Sequence, residues 1–277
     1  MAVDFSDRSA KGMMATRELA ATAFPQGRRQ THDLVAEVPV AIVLQGTSVA
    51  VMMASPTDLK DFAVGFAFTE GFISGLHDVV DLEIVEHGKG IEARLWLTDD
   101  KADAFIKRRR SMAGPVGCGL CGIDSLEEAT RSVPHVSAPN TELTFDELNA
   151  ATEALRNYQP IHDQTRAAHG AGFVMPQRGI VEAREDVGRH NALDKLIGGL
   201  LREENSPAEG AIVMTSRVSV ELVQKTAIAG CPIIVAVSAP TTFAVETAEA
   251  AGVTLAALSK GDGFKVFTHP ERIRTVS

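Results

Sequence analysis

Three short apolar runs in the second half of the chain limit its fold more than any other feature. Ala211-Ile212-Val213-Met214, Ile233-Ile234-Val235-Ala236-Val237 and residues 253–258 contain no charged residue, so each needs cover on both faces. Helical segments stand between them, 218–229 ended by Gly230 and 242–251 ended by Gly252. Upstream, 172–175 and 180–183 read as short strands and 191–203 as a helix, while 264–267 reads as a last strand. Alternation of helices with strands this apolar predicts a layered α/β domain on a largely parallel sheet. Thr144-Phe145-Asp146-Glu147 is a capping box that opens it.

The first half has a different pattern. Val40, Ile42 and Leu44 alternate, Gln45-Gly46-Thr47 turns, and Val49, Val51 and Met53 alternate again, which predicts a hairpin within 35–54. Residues 79–86 and 91–97 flank Gly88-Lys89-Gly90 as a second hairpin, with Trp96 expected in the core. Between the hairpins, Ser55 is the expected helix cap and Pro56 the first helical residue. Leu59, Phe62, Ala63 and Phe66 then share one face. Residues 99–110 read as a short helix, acidic first and basic last, ending in Arg108-Arg109-Arg110. The expected organisation is a loose tail over 1–30, a smaller α+β domain over 31–132, a linker over 133–143 and the α/β domain over 144–277. Two domains suit a length of 277 residues.

The reactive chemistry lies at the end of the first of these domains. In Gly117-Cys118-Gly119-Leu120-Cys121-Gly122 two thiols stand three positions apart among glycines, in a segment poor at being helix or strand. Backbone amides in such a loop favour a thiolate, and the arginine run adds positive potential, although a solvated helix end explains that run equally well. Three chemistries fit: a zinc site completed by histidines, a thioredoxin-like redox pair, and a sulfur carrier holding a persulfide. Zinc lacks a second ligand pair, since the third cysteine, Cys231, sits in an apolar run, and no structural metal is expected. The redox pair lacks a preceding strand. Asp124-Ser125-Leu126-Glu127 then opens another short helix.

In α/β sheets ligands bind beyond the carboxyl ends of strands. Candidate loops there are 185–191 with Arg189 and His190, 215–219 with Arg217, 238–242 with Ser238 and Thr241, and Ser259-Lys260-Gly261-Asp262-Gly263. Each alone reads equally as capping or turn; together on one edge they make a pocket. A net charge of −9 argues against general nucleic-acid binding. Three cysteines without a disulfide pattern fit a reducing cytoplasm, and no run of about 18 apolar residues predicts a membrane span.

At this point several motifs resemble the FdhD family of formate dehydrogenase accessory sulfurtransferases. They are Met52-Met53-Ala54-Ser55-Pro56, Cys118-Gly119-Leu120-Cys121-Gly122, the block from Glu185 to Lys195, Val237-Ser238-Ala239-Pro240-Thr241-Thr242 and Thr268-His269-Pro270. The likeness spans about 33–273. It implies that sulfur from a cysteine desulfurase is held as a persulfide on Cys118, with Cys121 beside it. It also implies delivery to the molybdenum of bis-molybdopterin guanine dinucleotide for formate dehydrogenase, a C-terminal domain like the cytidine deaminase fold, and a homodimer. The family's cofactor loop corresponds to Leu258 through Gly263, and a guanine nucleotide is the expected fragment ligand. The family usually carries Pro-Gly-Arg where this chain has Gly261-Asp262-Gly263, which exchanges a phosphate donor for a repelling carboxylate. Its glycine-rich stretch before a histidine is here Thr165-Arg166-Ala167-Ala168-His169. The alternative reading is a cofactor chaperone whose cysteines only ligate or dock. A zinc deaminase is disfavoured because no H-x-E pairs with P-C-x-x-C.

Overall fold

The computed structural model describes residues 13–111, 133–137, 143–261 and 263–275. The cysteine segment 117–122, the capping box at Asp124, positions 138–142 of the expected linker and Asp262 lie outside the described residues, as do the side chains of Arg109 and Arg110.

The expected loose tail is corrected over its described part. Strands β1 (Thr16–Ala23) and β2 (Arg28–Val35) pair antiparallel, with Thr16 opposite Val35. Nearly all of their side chains are exposed, so no apolar alternation marks them in the sequence; the backbone ladder forms the ribbon.

A four-stranded sheet follows, built from β3 (Val38–Leu44), β4 (Thr47–Ala54), β5 (Val79–His87) and β6 (Gly90–Leu97) in the order β4-β3-β6-β5. Both expected hairpins are present, and β3 and β6 join them in parallel. Val40, Ile42, Leu44, Ile91, Ala93 and Leu95 point inward onto α1 (Leu59–Thr69), where Leu59, Phe62 and Ala63 are buried. Trp96 is only half-buried, a correction: period-two alternation puts it on the face opposite Leu95 and Leu97. The cap of α1 is Asp58 in a left-handed conformation (φ 51°), not Ser55, whose polar groups are engaged elsewhere. Helix α2 (Asp99–Ser111) closes this unit.

The remaining elements are α3 (Phe145–Ala154), α4 (Pro160–Thr165), β7 (His169–Met175), β8 (Gly179–Asp186), α5 (Arg189–Arg202), β9 (Ala211–Met214), α6 (Val220–Ile228), β10 (Ile233–Ala236), α7 (Thr242–Ala251), β11 (Thr254–Lys260) and β12 (Gly263–Val266). The capping box of α3 forms as expected, Thr144 and Glu147 satisfying each other's backbone amides. The six-stranded sheet has the order β12-β11-β10-β9-β7-β8. Only β9, β10 and β11 run parallel to their neighbours among themselves; β7 and β12 pair antiparallel, so the expected largely parallel sheet is a parallel centre with antiparallel flanks. Short hairpin turns, which the sequence pattern does not separate from crossovers, make the flanks. Ala211, Val213, Ile233 and Val235 face α3, while Ile212, Met214, Ile234 and Ala236 face α5, α6 and α7. This is the expected α/β layering.

Helices α1 and α5 cross in backbone contact. A Cβ added to Gly65 would lie 1.8 Å from the Asp194 carbonyl oxygen, and one added to Gly198 would lie 1.9 Å from that of Asp61. Only glycine permits so close an approach. The crossing joins the four-stranded unit to the six-stranded one.

Candidate functional site

The block from Glu185 to Lys195 spans the end of β8 and the start of α5, and the structure divides it in two. One half is structural. Lys195, fully buried, reaches Asp186 at 2.7 Å and donates to the Ser55 carbonyl at 3.0 Å. Asp186 accepts from the Ser55 amide at 2.9 Å, and the Val187 amide donates to the Ser55 hydroxyl at 3.1 Å. Asn191 donates to the Met53 carbonyl and to Asp186, each at 2.9 Å. The Met52–Pro56 motif and this block therefore bind each other. A second junction lies one turn along: Lys225 donates to Thr69 (2.9 Å), Glu70 (3.1 Å) and both oxygens of Asp194 (2.9 and 3.0 Å). Burial works against the Lys225 charge, but Asp194 and Glu70 outweigh it and raise its pKa. In a third, Arg184 donates to Asp61 at 2.6 and 2.9 Å.

The other half faces outward. Because β7 is antiparallel to both β8 and β9, strands β8, β9, β10 and β11 all end on one edge. Three of the four candidate loops are linked there by hydrogen bonds: Val218 N to Ala239 O, Thr241 N to Val218 O, and Leu258 N to Ser238 O. Helix α5 starts two residues earlier than its periodicity predicts, which makes Arg189 and His190 its first turn rather than loop. Nε2 of His190 meets the Ser219 hydroxyl at 3.3 Å and a Glu221 oxygen at 3.8 Å, joining the fourth loop to this edge. Burial and the Arg189 charge push the His190 pKa down to about 4, so its ring is neutral at pH 7. His169, opposite Asp186 on the sheet, is lowered for the same reasons. The buried Nε of Arg189 has no hydrogen-bond partner among the described residues.

The loop from Leu258 to Gly263 is only partly suited to side-chain recognition. Leu258 adopts a left-handed φ of 59° at a register shift in β11 and is 40% exposed. Lys260 and Arg217 are exposed on this edge. Ser259 points the other way: it is buried and shares a 2.7 Å hydrogen bond with Thr152 of α3, so its hydroxyl is committed to the fold. Gly261 offers its carbonyl to Asn149, and Gly263 has a φ of 148°. Thr241 caps α7 through the Ala244 amide, and Ser238 is half-buried. Sequence reasoning missed two neighbours, Val237 and Phe243, each 41% exposed. With Leu258 they are large apolar side chains left exposed near the strand ends. An apolar residue at the very end of a buried strand was the available signal for Val237. Among the described residues no group of three or more His, Cys, Asp or Glu is placed to hold a metal ion, and no helix is long and apolar enough to cross a membrane.

Comparison with known proteins agrees with this architecture. The model of the FdhD/NarQ family matches residues 35–274. A sulfur carrier protein FdhD of Agrobacterium fabrum is 51% identical, over 93% of this chain and 96% of its own. The protein of that name in Brucella abortus is 47% identical over 86% and 88%. A crystal structure from Desulfotalea psychrophila, provisionally assigned as a formate dehydrogenase accessory protein, superposes with a TM-score of 0.72 at 27% identity, covering 94% of this chain and all of that one.

Proposed function

The chain belongs to the FdhD/NarQ family, and on that premise we propose that it is a cytoplasmic sulfur carrier serving the maturation of a formate dehydrogenase. Cys118 is the acceptor. Its thiolate attacks the outer sulfur of a desulfurase persulfide; a new S–S bond forms, the old one breaks, and the desulfurase cysteine leaves as thiolate. Delivery of that outer sulfur to the molybdenum of the pterin dinucleotide returns Cys118 to a thiolate. Reducing the sulfur to a metal sulfide ligand takes two electrons, from the molybdenum or an external thiol.

The observation that carries the acceptor half is the strand edge. Exposed apolar side chains near the strand ends, among them Val237 and Leu258, suit the flat face of a heterocycle, and Lys260 and Arg217 suit its phosphates. The Asp262 carboxylate opposes phosphate, so GDP alone binds at micromolar strength or weaker, about −8 kcal/mol at best. Cys231 is no competitor for sulfur, because burial pushes its thiol up to about 12.

Intact mass after incubation with a cysteine desulfurase and cysteine tests the donor half. One reducible sulfur on the wild type and none on Cys118→Ala is expected; full formate dehydrogenase activity in cells carrying Cys118→Ala overturns it. Calorimetry with GDP tests the acceptor half. Weaker heats in Lys260→Ala or Arg217→Ala and at higher salt support it, and no heat at millimolar GDP rejects it.

A further inference from the structure

The exposed pose of Leu258 has a cause beneath the sheet. Along β11, Leu255 and Ala257 pack into the layer of α5, α6 and α7, while Ala256 packs under α3. Strict alternation would send Leu258 back under α3. It does not go there. Ala257 stands opposite Lys265 and Lys260 opposite Gly263, so two residues of β11, Leu258 and Ser259, oppose the single Phe264 of β12. This is a β-bulge whose first residue is left-handed, at φ 59°, a place that such bulges normally give to glycine. The extra residue reverses the faces: Ser259 is buried under α3 and Leu258 stands in water.

Helix α3 supplies what Ser259 needs and Leu258 does not. Its residues Phe145, Asn149 and Thr152 are spaced i, i+4 and i+7 and share one face. Thr152 and Ser259, both buried, bring their hydroxyl oxygens 2.7 Å apart. Thr152 donates its one hydroxyl proton to the Asn149 carbonyl at 2.8 Å, so Ser259 is the donor of the pair and Thr152 the acceptor. A side chain without oxygen at position 152 takes that acceptor away and offers an apolar wall instead, which suits Leu258 better than Ser259. The hairpin beyond the bulge is held from the same face. Asn149 donates to the Gly261 carbonyl at 3.2 Å, and the Phe145 ring lies 5.0 Å from that of Phe264.

We propose that Thr152 is a positioning residue for the acceptor site: its hydroxyl selects Ser259 for the interior, and that choice turns Leu258 outward, beside Ser238 at the strand ends. This rests on the reading of that edge as the acceptor site. Thr152 is buried beneath the sheet and acts on binding through the pose of Leu258.

Two arms test this in the full-length chain. In the first, Leu258→Cys is placed in a Cys118→Ser, Cys121→Ser background, and the rate at which a thiol reagent modifies the new thiol reads the exposure of position 258; buried Cys231 stays silent. Thr152→Val should slow that rate at least about tenfold, and Thr152→Ser, which keeps the hydroxyl, should leave it within about twofold. In the second, calorimetry with GDP on the chain with its native cysteines should show affinity several-fold weaker in Thr152→Val and within about twofold of wild type in Thr152→Ser. In a Leu258→Gly background, Thr152→Val should change affinity by no more than about twofold, because the side chain whose pose it sets is gone. Denaturant midpoints identify a variant that fails to fold; Ser259→Ala, which removes the same bond from the other side, then carries both arms. An unchanged thiol rate in Thr152→Val overturns the proposal. So does an equal loss of GDP affinity in Thr152→Ser, or the full loss recurring in the Leu258→Gly background. If the wild type gives no heat with GDP, the acceptor reading of the edge fails, and the thiol arm still decides whether Thr152 sets the pose.

Discussion

The helix crossing and the strand edge are built on opposite principles, although one stretch of α5 belongs to both. At the crossing, glycines bring backbones into contact and three buried lysine or arginine groups meet carboxylates with short, multiple hydrogen bonds. At the edge, large apolar side chains stay in water, a leucine holds a left-handed conformation, and a neutral histidine stands beside a half-exposed glutamate. The crossing gains stability from completeness: every charge has its partner, and removing one leaves another stranded. The edge gives up stability, because it keeps surfaces and donors uncommitted for something else to occupy. Reactive segments work when such an uncommitted surface is held by a rigid frame.

This contrast breaks most readily at Lys195. Lys195→Met strands the Asp186 carboxylate in the interior, and the cost should be about 3–5 kcal/mol, read as a lowered midpoint in urea unfolding. A loss below about 1 kcal/mol would mean that the Ser55 and Asn191 bonds satisfy Asp186 unaided. Gly198→Ala comes next. With the Asp61 carbonyl 1.9 Å from the new methyl group, α1 and α5 must separate, at about 1–3 kcal/mol or more. The same substitution at Gly71, where nothing lies within 4 Å but φ is 72°, makes the comparison: there only backbone strain opposes alanine.

At the edge the sign should change. Leu258→Gly relieves a left-handed leucine worth about 1–2 kcal/mol and adds the flexibility of glycine, worth about 0.5–1 kcal/mol. Its stability should therefore match or slightly exceed wild type, while GDP affinity falls several-fold in calorimetry. A destabilised Leu258→Gly protein would show that the leucine serves packing and not a ligand.

The last effect concerns pH. The folded pKa of His190, about 4, lies below the ordinary value near 6.5, so the unfolded chain binds more protons between those limits. Stability should fall as pH drops through that window and be independent of this group above it. His190→Asn should flatten the slope of the unfolding midpoint against pH from 4.5 to 7; an identical slope in the variant would place the titration elsewhere.

How much of this was legible beforehand differs between the two regions. Strand ends and loops on the edge were legible, because apolar runs bounded by Thr, Ser, Gly and Arg mark carboxyl ends wherever a layered sheet forms. The outward pose of Leu258 and the inward turn of Ser259 were not, because a register shift in β11 decides them and leaves no periodic trace. The crossing was nearly invisible. Gly65 and Gly198 look like ordinary interruptions of helices, and Asp194 and Lys225 look like surface charges until α1, α5 and α6 meet. The ribbon of β1 and β2 was missed because exposed strands carry no burial pattern.

The sequence alone determined most of the local elements, the α/β layering, the glycine-flanked thiols and the family, since each rests on short-range pattern or motif. Only the tertiary structure decided that the block from Glu185 to Lys195 serves mostly as an internal fastening, with Arg189 and His190 left to the surface. Which side of a helix is buried depends on what packs against it, and the partners of α5 in α1 and the Met53–Ser55 stretch lie more than a hundred residues away in the chain.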